Sequence, residues 1–350
     1  MACMNWNIHG HEWAAKMLCQ HIANEKLRHA YLFSGPNGVG RRTLALRFAQ
    51  AVNCEQAPAR GEACGECMTC RQIARMQHAD LAVVQAEEAD VLKVEQVREL
   101  QHFVALAPYS SKYRVALFLD FEQANASAQN ALLKTLEEPN SHVLLLITVD
   151  DAENLLPTIT SRCELIRLRP MKVDALAELL MEKFGLTKAN ADLYAHLSGG
   201  RAGYAFQLAE DEKLLEQRAM GMADLRQMIS ASKNERIAYS RKRTHSRYVH
   251  DRSEAKMQLN ETIPYWLSFW RDVLLTATGS DTEITNIDMQ STIADVVSAI
   301  ETVQAESVVR ELERAFMRLQ HANLQLMLDN LLLGWPIVNL HSESSIDSSS

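Results

Sequence analysis

Three glycines within six residues, Gly35, Gly38 and Gly40, follow the short apolar run Ala30–Ser34 and precede the helix-like segment Arg42–Asn53. A strand that turns on glycines into a helix is the setting of a phosphate-binding loop. There the backbone N–H groups and the helix N-terminus cradle a polyphosphate. The Gly35-x4-Gly40 spacing fits, but the next two residues should be Lys and Ser or Thr. Arg41 keeps the charge at the lysine place as a wide planar fork rather than a compact ammonium. Arg42 stands where a hydroxyl should hold Mg²⁺. Thr43 lies one residue further on, turned by about 100° around the helix. Gly35, Gly38, Gly40, Arg41 and Thr43 therefore form a degenerate loop. Hydrolysis is not expected of it, while static nucleotide binding and a plain glycine turn both stay open.

The same strand–helix alternation continues downstream. Leu81–Gln85, Val115–Leu119 and Val143–Thr148 read as strands, and Glu95–Leu106 and Asn125–Glu138 as helices, the second stopped by Pro139. Unbroken apolar strands between helices imply an α/β fold with a parallel sheet. After Pro170 the pattern turns helical: Val173–Phe184, Ala189–Leu197, a third helix beyond Ser198–Gly203, then Ile263–Leu275, Thr292–Ile300 and Ala305–Leu333. The expected division is residues 1–169, α/β; 170–210, a small helical unit; 211–340, a larger helical unit; and 341–350, a polar, disordered tail. A length of 350 residues agrees with two to three domains.

Charge limits the function classes. With 36 Lys+Arg against 44 Asp+Glu, the net charge is −8, unlike a chain that grips a polyanion by neutralising many phosphates. No apolar run approaches the ~20 residues of a membrane span, and no secretory leader is evident, which points to the cytoplasm. Of the seven cysteines, four follow the pattern Cys54-x9-Cys64-x2-Cys67-x2-Cys70. An odd total argues against a disulfide framework. Four thiolates at this spacing can close a tetrahedral Zn²⁺ shell with no open position, a structural rather than catalytic site. The neighbours Glu62, Glu66, Arg71 and Arg75 are mixed in charge, unlike a nucleic-acid-reading finger. The basic block Ser240–Arg252 reads as a solvated insertion in preference to a DNA or partner contact.

Several segments together resemble one family. Asn130–Pro139 (NALLKTLEEP) and Leu156–Cys163 (LPTITSRC), with His29–Pro36, Ile8–Glu12 and Thr285–Asp288, are similar to the clamp-loader ATPases, AAA+ proteins that place ring-shaped clamps on DNA. The resemblance covers nearly all of residues 5–335. It implies an α/β AAA+ P-loop module carrying a zinc module at 54–70, a small helical lid domain and an all-α C-terminal collar domain. In the family register Asp120 takes the place of the water-positioning Glu, and Leu119 that of the metal-organising Asp. Without that register, Asp120 reads as a metal acid and Glu122 as a base candidate. Gly203 falls where motors carry a γ-phosphate-sensing Arg, with Arg201 displaced by two residues.

Phosphoryl transfer depends on positioning and charge neutralisation, so these departures together imply a non-hydrolysing subunit. Arg162, in Ser-Arg-Cys, is implied to be an arginine finger given in trans to a neighbour's ATP. The implied partners are a gamma/tau-like motor subunit, a delta-like clamp-opening subunit, and, through the complex, the sliding clamp and primed DNA. Two other readings are an active gamma/tau-like motor and a zinc-dependent DNA-binding protein.

Overall fold

The computed structural model describes residues 6–86, 91–244, 252–319 and 322–340. The expected tail at 341–350, and residues 245–251 of the basic block, lie outside them.

In the first part of the chain the order is α1 (Glu12–Ala23), β1 (Ala30–Ser34), α2 (Arg41–Asn53), α3 (Met68–Ala74), β2 (Leu81–Val84), α4 (Val94–Ala105), β3 (Arg114–Phe118), α5 (Ala126–Glu137), β4 (Val143–Val149), α6 (Pro157–Thr160) and β5 (Glu164–Arg167). The strands form one parallel sheet in the order β2-β3-β4-β1-β5. Every residue of β1, β3 and β4 is buried, because helices cover both faces of the sheet. Successive side chains alternate between those faces. Tyr31 and Phe33 pack with Leu18, Leu44 and Phe48 beneath α1 and α2. Ala30 and Leu32 join Val97, Leu100, Leu132 and Leu136 beneath α4 and α5.

In this part of the chain α1, α3, β5 and the single-turn α6 had no sequence signal strong enough to find. Helix α1 buries mainly small residues, Ala14, Ala15, Leu18 and Cys19, so its apolar stripe is faint. Helix α3 is only seven residues long and lies within the cysteine cluster. Strand β5 is an edge strand with partly exposed Glu164 and exposed Arg167, which breaks the apolar run that marks a buried strand.

The remaining elements are helical: α7 (Val173–Phe184), α8 (Lys188–Ser198), α9 (Ala202–Glu210), α10 (Glu212–Ser230), α11 (Lys233–Thr244), α12 (Arg252–Ala277), α13 (Gln290–Ala299), α14 (Thr302–Arg318) and α15 (Leu324–Leu333). The apolar pattern over Ala305–Leu333 divides into α14 and α15, with the Asn323 side chain capping the second by accepting from Leu326 N–H. The chain separates into two compact units, one of residues up to Lys172 with Gly200–Tyr204, the other of Val173–Gly199 and residues from Ala205 onward. No helix among the described residues is long and apolar enough to cross a membrane.

The helical unit is centred on Trp266, Trp270 and Trp335, whose rings meet edge to face at 5.3 and 5.5 Å. Its most buried charge, Arg236, donates to the carbonyls of Met228, Ile229, Leu332, Trp335 and Pro336. It thereby satisfies carbonyls that α10 and α15 leave without helical partners at their C-termini. The Thr285–Asp288 segment is another fastening. Asp272 accepts from Thr285 N–H, Asn286 N–H and the Asn286 amide. Arg218 on α10 donates to Asn286 and to both oxygens of Asp288.

Candidate functional site

The glycine turn leaves the C-terminal end of β1, an interior strand between β4 and β5. From β1 the chain crosses to the far edge at β2, and from β4 it crosses in the opposite direction to β5. The ends of β1 and β4 thus flank a topological switch point, the place where α/β sheets bind ligands. Gly40, at φ 109°, starts α2 in the left-handed region that glycine tolerates. At Gly35 a Cβ would lie 2.3 Å from the Leu168 carbonyl oxygen.

Side chains around the turn form an ion-pair cluster. Arg41 is 5% exposed; it donates to Asp120 Oδ1 at 2.9 Å and pairs with Asp150 Oδ1 at 2.7 Å. Asp120 follows β3 in a left-handed conformation, its N–H donating to Thr148 Oγ1 at 2.9 Å. Asp150 directly follows β4. Glu122 stands in the same electrostatic field, with one buried carboxyl oxygen unpartnered. Burial, then the Asp150 and Asp120 charges, push its carboxyl above the ordinary range, while Arg41 acts in the opposite direction. The cation at the lysine place is thus paired with acids of its own chain.

The turn is also covered from its own unit. Gly203 N–H donates to Gly38 O at 2.8 Å, and Arg201 Nη1 to Asn37 O at 3.4 Å. The Arg201 guanidinium lies 5.1 Å from the centre of the Tyr204 ring. A Cβ at Gly203 would come within 2.8 Å of Gly38 O, so no side chain fits at the position the family register gives to the sensing Arg. On the other side, His11 Nε2 is 3.2 Å from Val39 O, and burial lowers the pKa of its imidazole. Thr43, on the first turn of α2, is exposed.

Arg162 lies elsewhere, in the turn after α6. Its Nη1 donates to Thr158 O and its Nη2 to Glu137 Oε1, both at 2.9 Å. The two side chains are 36% and 52% exposed. Beside it Cys163 is mostly enclosed, and burial pushes its thiol up to about 12.

The four clustered cysteines converge. Cys54 ends α2, Cys67 caps α3 and Cys70 lies within it, and all four sulfurs are within 4.8 Å of one another. The Cys54–Cys64 and Cys64–Cys70 sulfur separations are 3.5 and 3.9 Å. A tetrahedron with Zn–S bonds of about 2.3 Å has edges near 3.8 Å, so the donor set fits that metal. The backbone is arranged for thiolates: Cys64 N–H points at Cys54 Sγ, Cys67 N–H at Cys64 Sγ and Cys70 N–H at Cys67 Sγ. The Cys67 N–H leads in holding the Cys64 thiol down to about 6, while burial pushes the Cys54 and Cys70 thiols up. Gln50 holds the module from outside by donating to Cys70 O, and within it Glu55 accepts from the Thr69 hydroxyl. Outside the cluster, Cys19 is disulfide-bonded.

The site also contains residues the sequence did not single out. Asp150 was detectable in principle, as the first charged residue beyond a fully buried strand. Tyr204 and the partnership of Glu137 with Arg162 had no sequence signal, because only folding brings those segments together.

Residues 10–172 match the family described as DNA polymerase III, delta subunit. Over 152 residues the chain is 41% identical to the DNA polymerase III subunit delta′ of Pseudomonas aeruginosa, covering 43% of this chain and 46% of that one. It is 31% identical over 204 residues to the delta′ subunit of Bacillus subtilis, covering 58% and 60%. With the tau subunit of Bacillus subtilis it shares 26% identity over 331 residues, covering 91% of this chain and 58% of that one. The alignments thus span about half to three fifths of these relatives' lengths. The region that carries the glycine turn, the cysteine cluster and Arg162 is similar to delta′ and tau subunits alike.

Proposed function

We propose that this delta′-like clamp-loader subunit of the DNA polymerase III type is a non-hydrolysing brace that completes a neighbouring subunit's ATP site. The observation that carries the reading is the contrast in arginine partners. Arg41 is buried between Asp120 and Asp150, whereas Arg162 remains at the surface with an exposed partner. A chain that spends its own loop cation internally is poorly suited to bind and hydrolyse ATP. A surface guanidinium remains able to stabilise charge on a phosphoryl group from outside.

On this reading Arg162 is an arginine finger given in trans to a gamma/tau-like motor. A delta-like subunit opens the sliding clamp, and the assembly places it on primed DNA in the cytoplasm. The three-part division carries over as an AAA+ module to residue 169, a lid to 210 and a collar to 340. The collar joins subunits, and the net charge of −8 accords with DNA being held by the complex. Zinc in the Cys54, Cys64, Cys67 and Cys70 shell is structural. It supplies cross-linking rather than chemistry, because four thiolates leave no place for water. About one zinc per folded chain is expected by elemental analysis, and a native chain free of metal would overturn the assignment.

The decisive test is Arg162→Ala in a reconstituted loader. A trans finger is worth about 10³–10⁵ in rate in GTPases, and a loss of at least about tenfold in clamp- and DNA-stimulated ATPase is expected. An unchanged rate would defeat the reading. A second reading, an active motor, draws on the long alignment with tau. Sustained ATP turnover by the purified chain alone would favour it.

A further inference from the structure

The two segments that most strongly carry the family resemblance, Asn130–Pro139 and Leu156–Cys163, meet at one ion pair. The proposed function uses only Arg162. We infer that Glu137 is the positioning residue for that finger, holding the guanidinium at the angle from which it meets a neighbour's nucleotide. This inference rests on the finger reading and deepens it.

The arrangement is built from the helix upward. Helix α5 ends at Glu137, its last turn oriented by Leu132 and Leu136 in the core under the sheet. The segment that bears Arg162 is secured to the same helix at its other end. Gln129, 8% exposed, accepts from Leu156 N–H at 3.1 Å and donates to Ala124 O at 3.1 Å. Ile159, fully buried, anchors α6 between the two attachments. Arg162 is then gripped twice on its own side, by Thr158 O through Nη1 and by Glu137 through Nη2, each at 2.9 Å.

A guanidinium is a rigid planar fork, so two bonds from different directions define its plane. The donors not used by Thr158 and Glu137 remain for an acceptor from outside. Without Glu137 the side chain keeps one anchor and recovers rotamer freedom. That freedom must be lost again in the transition state, a preorganisation cost. The pair is half exposed, so its effect is that of an exposed pair, about three- to fivefold in rate, well below loss of the finger itself.

The test compares Glu137→Ala, Glu137→Gln, Arg162→Ala and Glu137→Ala/Arg162→Ala in the reconstituted loader, measuring kcat and KM for ATP. Glu137→Ala is expected to lower kcat about three- to fivefold with KM nearly unchanged. Glu137→Gln, which still accepts the hydrogen bond, should restore most of the rate. In the Arg162→Ala background, loss of Glu137 should have no further effect. A Glu137→Ala complex as fast as or faster than wild type, with Arg162→Ala impaired, would overturn the positioning role. A purely structural role would instead lower the melting temperature and add to the Arg162→Ala defect, and that result too overturns it. An unimpaired Arg162→Ala complex would defeat the finger reading itself, and this inference with it.

Discussion

The mouth of the glycine turn and the Ser-Arg-Cys turn each present an arginine beside acids, yet they use the group in opposite ways. Arg41 is 5% exposed and lies between carboxylates after β3 and β4. Arg162 is 36% exposed, held on one side by Glu137 and by a backbone carbonyl. Buried between acids, a guanidinium becomes part of the fold. At the surface with one side bonded, it keeps donors for a ligand. The lesson is that an arginine's role depends on its burial and on how many carboxylates surround it, since each of these two contacts its own chain through two nitrogens.

This contrast can be tested by separating rate from stability. The largest expected effect is Arg162→Ala, which should damage the loader's ATPase while changing the chain's own stability by less than about 1 kcal/mol, as for an exposed pair. Arg41→Ala should do the reverse. Loss of one partner from a buried pair costs about 3–5 kcal/mol, but Asp120 and Asp150 are 42% and 51% exposed, so screening reduces this to about 2 kcal/mol. Denaturant unfolding of the chain measures it. A stability change in Arg162→Ala as large as that in Arg41→Ala would erase the distinction.

The smallest effect concerns Glu122, whose folded carboxyl sits above its ordinary value mainly through burial and the Asp150 charge. With a raised folded pKa, the native state holds its proton more tightly than the unfolded chain. Stability therefore declines as pH rises above about 4.3 and through the folded value. Glu122→Gln should remove that decline and leave the chain slightly more stable at neutral pH. Thermal unfolding across a pH series would show this as a flatter profile, and an unchanged slope would count against the acidic surroundings described for the turn.

Much of this was legible in residue order. The cysteine shell is local, spanning one short loop and one helix, and its spacing announced the convergence of the four sulfurs. The strands β1, β3 and β4 were readable because burial on both faces leaves unbroken apolar runs. The departures at Arg42, Leu119 and Gly203 were visible as residue types. What could not be read was their consequence. Arg41 looked like a substitute for lysine, and its capture by Asp120 and Asp150 required the sheet to bring the ends of β3 and β4 beside the turn. Gly203 looked like the loss of an arginine, whereas its backbone approaches Gly38 too closely for any side chain.

By itself the sequence determined the class of the fold and the four cysteines that converge, which follow from local periodicity and short spacing, and the family resemblance singled out Arg162. Only the tertiary structure decided which arginine is consumed and which is left available. That depends on contacts between segments distant in sequence, where a carboxylate either meets a buried guanidinium on two sides or an exposed one on a single side.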